Sequence, residues 1–90
     1  MNNKLPFQET KLGNNEFIRE FKQDTDSGDL HWHRDREDRI IESIGETDWM
    51  IQLDNELPKV INEKIFIQMG VYHRVIKGTG DLKIKLTKLF

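Results

Sequence analysis

Short alternating runs of large apolar residues, broken by turn residues about every ten positions, constrain the fold of this chain more than any other feature. Isoleucine, leucine, phenylalanine and valine supply most of the apolar content, and alanine is absent. β-Branched and aromatic residues favour strands, and the strongest helix former is missing. The pattern predicts eight strands, at residues 4–10, 16–22, 30–34, 38–44, 48–54, 64–68, 72–77 and 81–87. Short strands at this spacing indicate an all-β sandwich or barrel.

The length of 90 residues leaves room for one hydrophobic core, so we expect a single domain over residues 1–90 with N-terminal strands in 1–22. No apolar run exceeds three residues, which excludes a membrane-spanning helix. The opening ten residues lack the apolar stretch of a signal peptide. A cytoplasmic protein without a membrane partner is therefore expected.

The charge balance and the absence of cysteine narrow the chemistry further. A pI of about 5.9 argues against nucleic acid as a partner, although the C-terminal third is basic. Without cysteine there can be no disulfide, no thiolate metal site and no cysteine nucleophile. Any metal must therefore be held by histidine, carboxylate or water.

The stretch around His31 and His33 is the most informative part of the sequence. Residues two apart in a strand point to the same face, roughly 6.5 to 7 Å apart, so the two imidazoles can converge on one metal ion. Exposed histidines are also common on strands. The pair alone therefore leaves both a metal site and a purely structural role open.

The residues after this pair resemble the first motif of the cupin superfamily, which runs His-x-His, three or four residues, Glu, six residues, Gly. In this chain His31 and His33 are followed after four residues by Asp38, and after six more by Gly45. Glu37 satisfies the three-residue version of the spacing. Asp38 alone keeps the interval to Gly45 and is the favoured carboxylate, with Glu37 as the alternative.

A second pattern resembles the other cupin motif, which runs Gly, five residues, Pro-x-Gly, two residues, His, three residues, Asn. Here Gly70 is followed after two residues by His73, at the spacing of the motif histidine. Asn62, Gln68 and Lys77 occupy its Gly, Pro and Asn positions and depart from it. The two patterns together cover residues 31–77, about half of the chain.

The resemblance implies a single-domain cupin, a β-barrel or double-stranded β-helix jelly roll. It further implies one divalent transition metal, Fe, Mn, Ni or Zn, bound by His31, His33, Asp38 and His73. Cupins of this kind include dioxygenases, isomerases and lyases, so the expected function is metal-dependent chemistry on a small polar or anionic molecule. The alternative is a non-catalytic cupin that binds a ligand or a partner protein.

Three residues near the proposed ligands are candidates for substrate binding. Arg74 adjoins His73, and a guanidinium group can bind a carboxylate or phosphate with two hydrogen bonds, but strand alternation places Arg74 opposite His73. Tyr72, which directly precedes His73, is also placed opposite it by strand alternation. Gln52 could hydrogen-bond a substrate or a metal-bound water.

A homodimer is expected because a 90-residue barrel has few residues to bury its own apolar surface. The predicted interface includes four apolar residues of the N-terminal strands: Phe7, Phe17, Ile18 and Phe21.

Overall fold

A computed structural model describes residues 5–90. Residues 1–4, which include the start of the first predicted strand, lie outside the described residues. The strands are β1 (Gln8–Lys11), β2 (Glu16–Phe21), β3 (Asp38–Ser43), β4 (Met50–Leu53), β5 (Lys59–Val60), β6 (Ile65–Ile67), β7 (His73–Ile76) and β8 (Leu82–Leu89). Over residues 5–90 the helical content is one 3-10 turn, Ser27–Asp29, and no helix in that range could cross a membrane.

The strands form two antiparallel sheets. One has five strands in the order β1-β2-β8-β3-β6, and the other has three in the order β5-β4-β7. Within the described residues no ladder joins a strand of one sheet to a strand of the other, so the sheets are not closed into a barrel. The predicted all-β jelly roll is confirmed, and it has the form of a sandwich.

Strand β8 shows how the sequence pattern produces the larger sheet. Leu82, Ile84 and Leu86 are buried, whereas Lys83 between them is exposed. This alternation places one face of the strand on the core and the other toward solvent. Because β8 pairs with β2 on one side and β3 on the other, it occupies the centre of the five-stranded sheet.

The core lies between the two sheets and receives side chains from both. Trp49, immediately before β4, is fully buried, and its ring centroid lies 5.8 Å from that of Phe21 in β2. The other buried members are Ile41, Ile51, Leu53, Ile61, Ile65, Ile67, Leu82, Ile84 and Leu86. Phe7 and Phe17 pack against this cluster from the side of the N-terminal strands.

Two segments differ from the predicted strands. Residues 30–34 do not form a strand, and only His33 takes part in an isolated bridge. Strand β5, which follows Pro58, was not predicted because two residues are too few to show alternation. The irregular path of residues 30–34 determines which side chains lie next to His33.

A set of short contacts fastens the loop before β4 to the turn between β7 and β8. The Asp48 carboxylate accepts hydrogen bonds from the backbone N–H of Thr79 at 2.8 Å and from its hydroxyl at 2.7 Å. The indole Nε1 of Trp49 donates to the carbonyl of Gly80 at 3.0 Å. These contacts join the buried tryptophan to the turn that leads into the central strand.

Gly78 is required by the close approach of this loop. A Cβ at this position would lie 2.3 Å from Asp48 Oδ1 and 2.8 Å from the backbone nitrogen of Trp49. We expect Gly78→Ala to lower the free energy of unfolding by about 1 to 3 kcal/mol, because the backbone must shift. Gly13→Ala is the matched control, since its nearest atom would lie 3.7 Å away. Urea unfolding measures both, and equal effects would contradict the close approach.

The same contacts predict a dependence of stability on acid pH. Hydrogen bonds from the Thr79 hydroxyl and backbone lower the pKa of Asp48 below its ordinary value of 3.8. A carboxylate with a lowered folded-state pKa contributes stability above its unfolded-state pKa, and that stability is lost as the pH falls through the folded-state value. In urea unfolding, Asp48→Asn should therefore reduce the loss of stability below about pH 4, while Asp54→Asn retains it. Identical pH profiles for wild type and Asp48→Asn would refute the assignment.

Candidate metal centre

Two histidines from distant parts of the chain are held side by side by their backbones. The N–H of His33 donates to the carbonyl of His73 at 3.0 Å, and the N–H of His73 donates to the carbonyl of His33 at 2.8 Å. This reciprocal pair is the isolated bridge between the irregular segment and the first residue of β7. It brings the two imidazole centroids within 4.3 Å of each other.

Both imidazoles are oriented by the same local contact. The Nδ1 of His33 lies 2.9 Å from the carbonyl of His31, and the Nδ1 of His73 lies 2.9 Å from the carbonyl of Val71. A carbonyl oxygen can only accept, so each Nδ1 carries the proton. In the neutral rings each Nε2 then has a free lone pair, as a metal ligand requires.

Asp35 completes the group. Its Oδ2 lies 3.2 Å from Nε2 of His73, and its Oδ1 lies 4.0 Å from Nε2 of His33. All three ligand atoms lie within 4.8 Å of one another. Oδ2 is buried and has no hydrogen-bond partner among the described residues, even though a ring nitrogen is close.

The unpartnered oxygen of Asp35 indicates that these residues fit a metal ion. A buried carboxylate oxygen without a partner is costly, because burial removes its hydration without replacing it. Two ligands bound about 2.1 Å from one ion lie roughly 3 Å apart, close to the separation of Asp35 Oδ2 and His73 Nε2. A cation between the two atoms would satisfy both of them. Two imidazoles and one carboxylate therefore fit a divalent transition metal.

The environment keeps His73 in the form that can bind a metal. Burial lowers the pKa of His73 below its ordinary value of 6.5, and the positive charge that His33 and Arg39 can carry acts in the same direction. The Val71 carbonyl and the Asp35 carboxylate raise the pKa but do not reverse the shift. His73 is consequently neutral near pH 7, with its Nε2 free.

Arg39, in β3 of the five-stranded sheet, lies beside the carboxylate of Asp35. Its Nε donates to Glu37 at 2.6 Å and lies 3.4 Å from Asp35 Oδ2. This contact with Asp35 is an ion pair by distance but lacks the alignment of a hydrogen bond, which agrees with the unpartnered state of that oxygen. Glu37 is therefore paired with Arg39.

The structure brings two of the four predicted ligands together, His33 and His73. Asp38, the first residue of β3, accepts a hydrogen bond from the backbone N–H of Met69 at 2.7 Å and is not in the group around the histidines. His31 is exposed and lines the neighbouring cavity. The ligand roles of His31 and Asp38 stay predictions that variants can test.

The predicted substrate-binding residues lie away from the histidines. Gln52 and Arg74 are register partners on β4 and β7, and both Nε and Nη2 of Arg74 donate to the Gln52 side chain. The guanidinium of Arg74 lies over the ring of Trp32, and that of Arg34 lies over Tyr72. These contacts form on the opposite face of β7 from His73, as strand alternation requires.

A cavity of about 240 Å³ begins beside the two histidines and runs between the sheets. Its wall is mostly apolar and includes Phe21, Ile41, Ile51 and Leu86. Arg19 from β2 and Arg39 from β3 bring positive charge to this wall. A metal ion at the histidines would therefore adjoin a half-open cavity suited to a small molecule.

Sequence reasoning missed two residues of this region, Asp35 and Arg19. Asp35 continues the alternation of His31 and His33 by one more step, so a strand-like pattern could have pointed to it. Arg19 gave no signal, because its place in the cavity depends on pairing between strands far apart in the chain.

Solved structures share this fold. The chain aligns with protein NMB1881 from Neisseria meningitidis at a TM-score of 0.62 and 14% identity, covering 100% of this chain and 89% of that one. It aligns with a cupin-2 domain containing protein from Shewanella frigidimarina at 0.62 and 18% identity, over 96% of this chain and 81% of that one. The chain has the cupin fold.

An iron(II) form of HppE shares the cupin fold as well, at a TM-score of 0.62 and 16% identity. The alignment covers 82% of this chain but 41% of HppE, so the chain spans less than half of that protein. No protein-family model matches the sequence, and no curated protein matches it significantly. The fold is therefore established by structure, and the chemistry must be argued from the site.

Proposed function

We propose that this cupin binds one divalent transition metal ion through His33, Asp35 and His73 and uses it in chemistry on a small polar or anionic molecule. The observation that carries the proposal is the buried, unpartnered Asp35 Oδ2, 3.2 Å from a ring nitrogen with a free lone pair. The iron(II) of HppE supports iron, while Mn, Ni and Zn suit the same donor set. Three protein ligands leave coordination positions open, and the bound ion would supply a Lewis acid there.

Each residue around the site has its own role in the proposed function. His33 and His73 present their Nε2 lone pairs because backbone carbonyls hold both Nδ1 protons. Arg39 offsets one of the two negative charges of Asp35 and Glu37. The mostly apolar wall makes the space beside the site less favourable for water. The proposed reactions are of oxygenase, isomerase or lyase type, and an apolar surrounding would strengthen the electrostatic interactions of the ion with a substrate.

The cavity sets the size of the molecule. At about 240 Å³ it lies below the range of roughly 300 to 1,000 Å³ that takes drug-sized ligands. We therefore propose a small-molecule substrate and, from the expectation drawn from the sequence, a cytoplasmic location.

Metal binding tests the proposal, and two matched pairs of variants locate the ligands. Asp35→Asn and His73→Gln should weaken Zn(II) binding at least about a hundredfold, because each removes one of three ligands. Asp38→Asn keeps an oxygen for the Met69 N–H, and His31→Gln keeps the carbonyl that holds His33, so both should stay within about threefold of wild type. Isothermal titration of protein purified without a histidine tag measures all four.

Three outcomes would count against this assignment. A wild-type protein that binds well under one equivalent of Fe, Mn, Ni or Zn would favour the non-catalytic cupin. A large loss in Asp38→Asn with none in Asp35→Asn would move the carboxylate ligand to Asp38. A large loss in His31→Gln would add that histidine to the set.

A homodimer is also proposed, with the N-terminal strands at its interface. Phe21, predicted for the interface, is buried in the core of the single chain and so is not available to a partner, whereas Phe7 and Phe17 pack only partly against the core. Leu12, in the turn between β1 and β2, remains exposed at this end of the larger sheet. Light scattering at tens of micromolar should give twice the chain mass of 10.7 kDa. A monomer mass would refute the dimer.

A further inference from the structure

One end of the cavity carries a positively charged group that the metal centre does not use. Arg19 projects from β2 into the cavity wall, on the same face of the sheet as its register partner Ile84. Its guanidinium lies 4.1 Å from the centroid of the Phe7 ring, and its side chain is 16% exposed. A guanidinium in so sheltered a place interacts more strongly with an anion than one on the surface.

Most of the hydrogen-bonding capacity of Arg19 is unused. A guanidinium has five N–H donors. Within residues 5–90 one of them is engaged, the Nε–H, which donates to Glu9 Oε2 at 2.5 Å. The two Nη groups have no protein acceptor in that part of the chain. They form the pair of parallel donors that a carboxylate accepts.

The surroundings of Arg19 select what kind of anion fits. Phe7 and Phe21 stand together at this part of the cavity with ring centroids 5.4 Å apart. The apolar side chains of Ile41, Ile51 and Leu86 line the same cavity as these rings and the histidines. Asp29 and His31 also line the cavity, but most of its lining residues are apolar, so a molecule that fills this space needs an apolar body.

We propose that the cavity binds a small monocarboxylate with an apolar body, its carboxylate paired with the Nη groups of Arg19. The other end of the molecule lies toward His33 and His73, and in this respect the inference rests on the proposed function. Glu9 binds Arg19 through Nε and leaves its Nη groups available to the ligand. Glu9 also weakens the positive charge, so it acts as a positioning residue and lowers affinity for the anion.

The test compares carboxylates with their uncharged counterparts on the whole chain. Hexanoate and benzoate are titrated against hexanamide and benzamide, with the protein loaded with Zn(II) and again in the presence of chelator. The carboxylates should bind about ten- to a hundredfold more tightly than the amides, since hydrogen bonds between charged groups contribute about 1.5 to 3 kcal/mol. Equal affinity of acid and amide, or binding of neither, would overturn the inference.

Two variants of opposite effect identify Arg19 as the group responsible. Arg19→Gln should reduce carboxylate affinity to that of the amide, whereas Glu9→Gln should increase it a few-fold by removing a competing negative charge. If the ion pair were only structural, both variants would weaken binding together. Arg34→Gln, an arginine outside the cavity, is the control and should leave the affinity unchanged.

The outcome is separable from that of the metal proposal. Neither Arg19 nor Glu9 contacts the metal-site residues, so both variants should retain Zn(II) affinity. Zinc binding without preference for the carboxylate would refute this inference alone. Preference for the carboxylate that persists in chelator, in a protein that binds no zinc, would refute the metal site and leave Arg19 as the anion-binding group.

Should Arg19→Gln fail to fold, Arg19→Lys retains the charge and must still favour the acid over the amide.

Discussion

The reciprocal hydrogen bonds between His33 and His73 are the contact on which the site depends. They fasten a segment without regular structure to the first residue of a strand forty positions later. Because they involve only backbone atoms, the position of the two rings follows from the path of the chain. The side-chain contacts then refine it, with a carbonyl holding each Nδ1. Asp35 reaches the histidines because it lies two residues after His33, and the chain bends only beyond it, at residues 36–37, before β3 begins at Asp38.

Much of the fold could be predicted from the sequence. In β8 the alternation of leucine and isoleucine with lysine is regular enough to predict both the strand and its buried face. The size of the Trp49 side chain favours a place in the core, and it is fully buried. The segment 30–34 has the same alternation in sequence but does not become a strand, because its only ladder contact is the bridge at His33. The local alternation of residues does not show which other segment, if any, will pair with their backbone.

The sequence predicts the two histidines of the site but not its carboxylate. His33 and His73 stand at the spacing that resembles the cupin motifs, and the structure brings them together. The carboxylate beside them is Asp35, because the chain does not continue as a straight strand from His33 to Asp38. Counting residues along a regular strand cannot describe a bend. Arg19 depends on the pairing of β2 with β8, a register that the sequence of β2 alone does not specify.

The central place of β8 has a consequence for how this chain folds. Strands β2 and β3 are near each other in sequence but do not pair, and each forms its ladder with β8 instead. The larger sheet cannot grow hairpin by hairpin along the chain. Its middle must be filled by a segment that closes a loop of about sixty residues onto β2, at a high entropic cost. Folding should therefore be slow for so small a domain, in the range of milliseconds to seconds typical of β-proteins dominated by distant contacts.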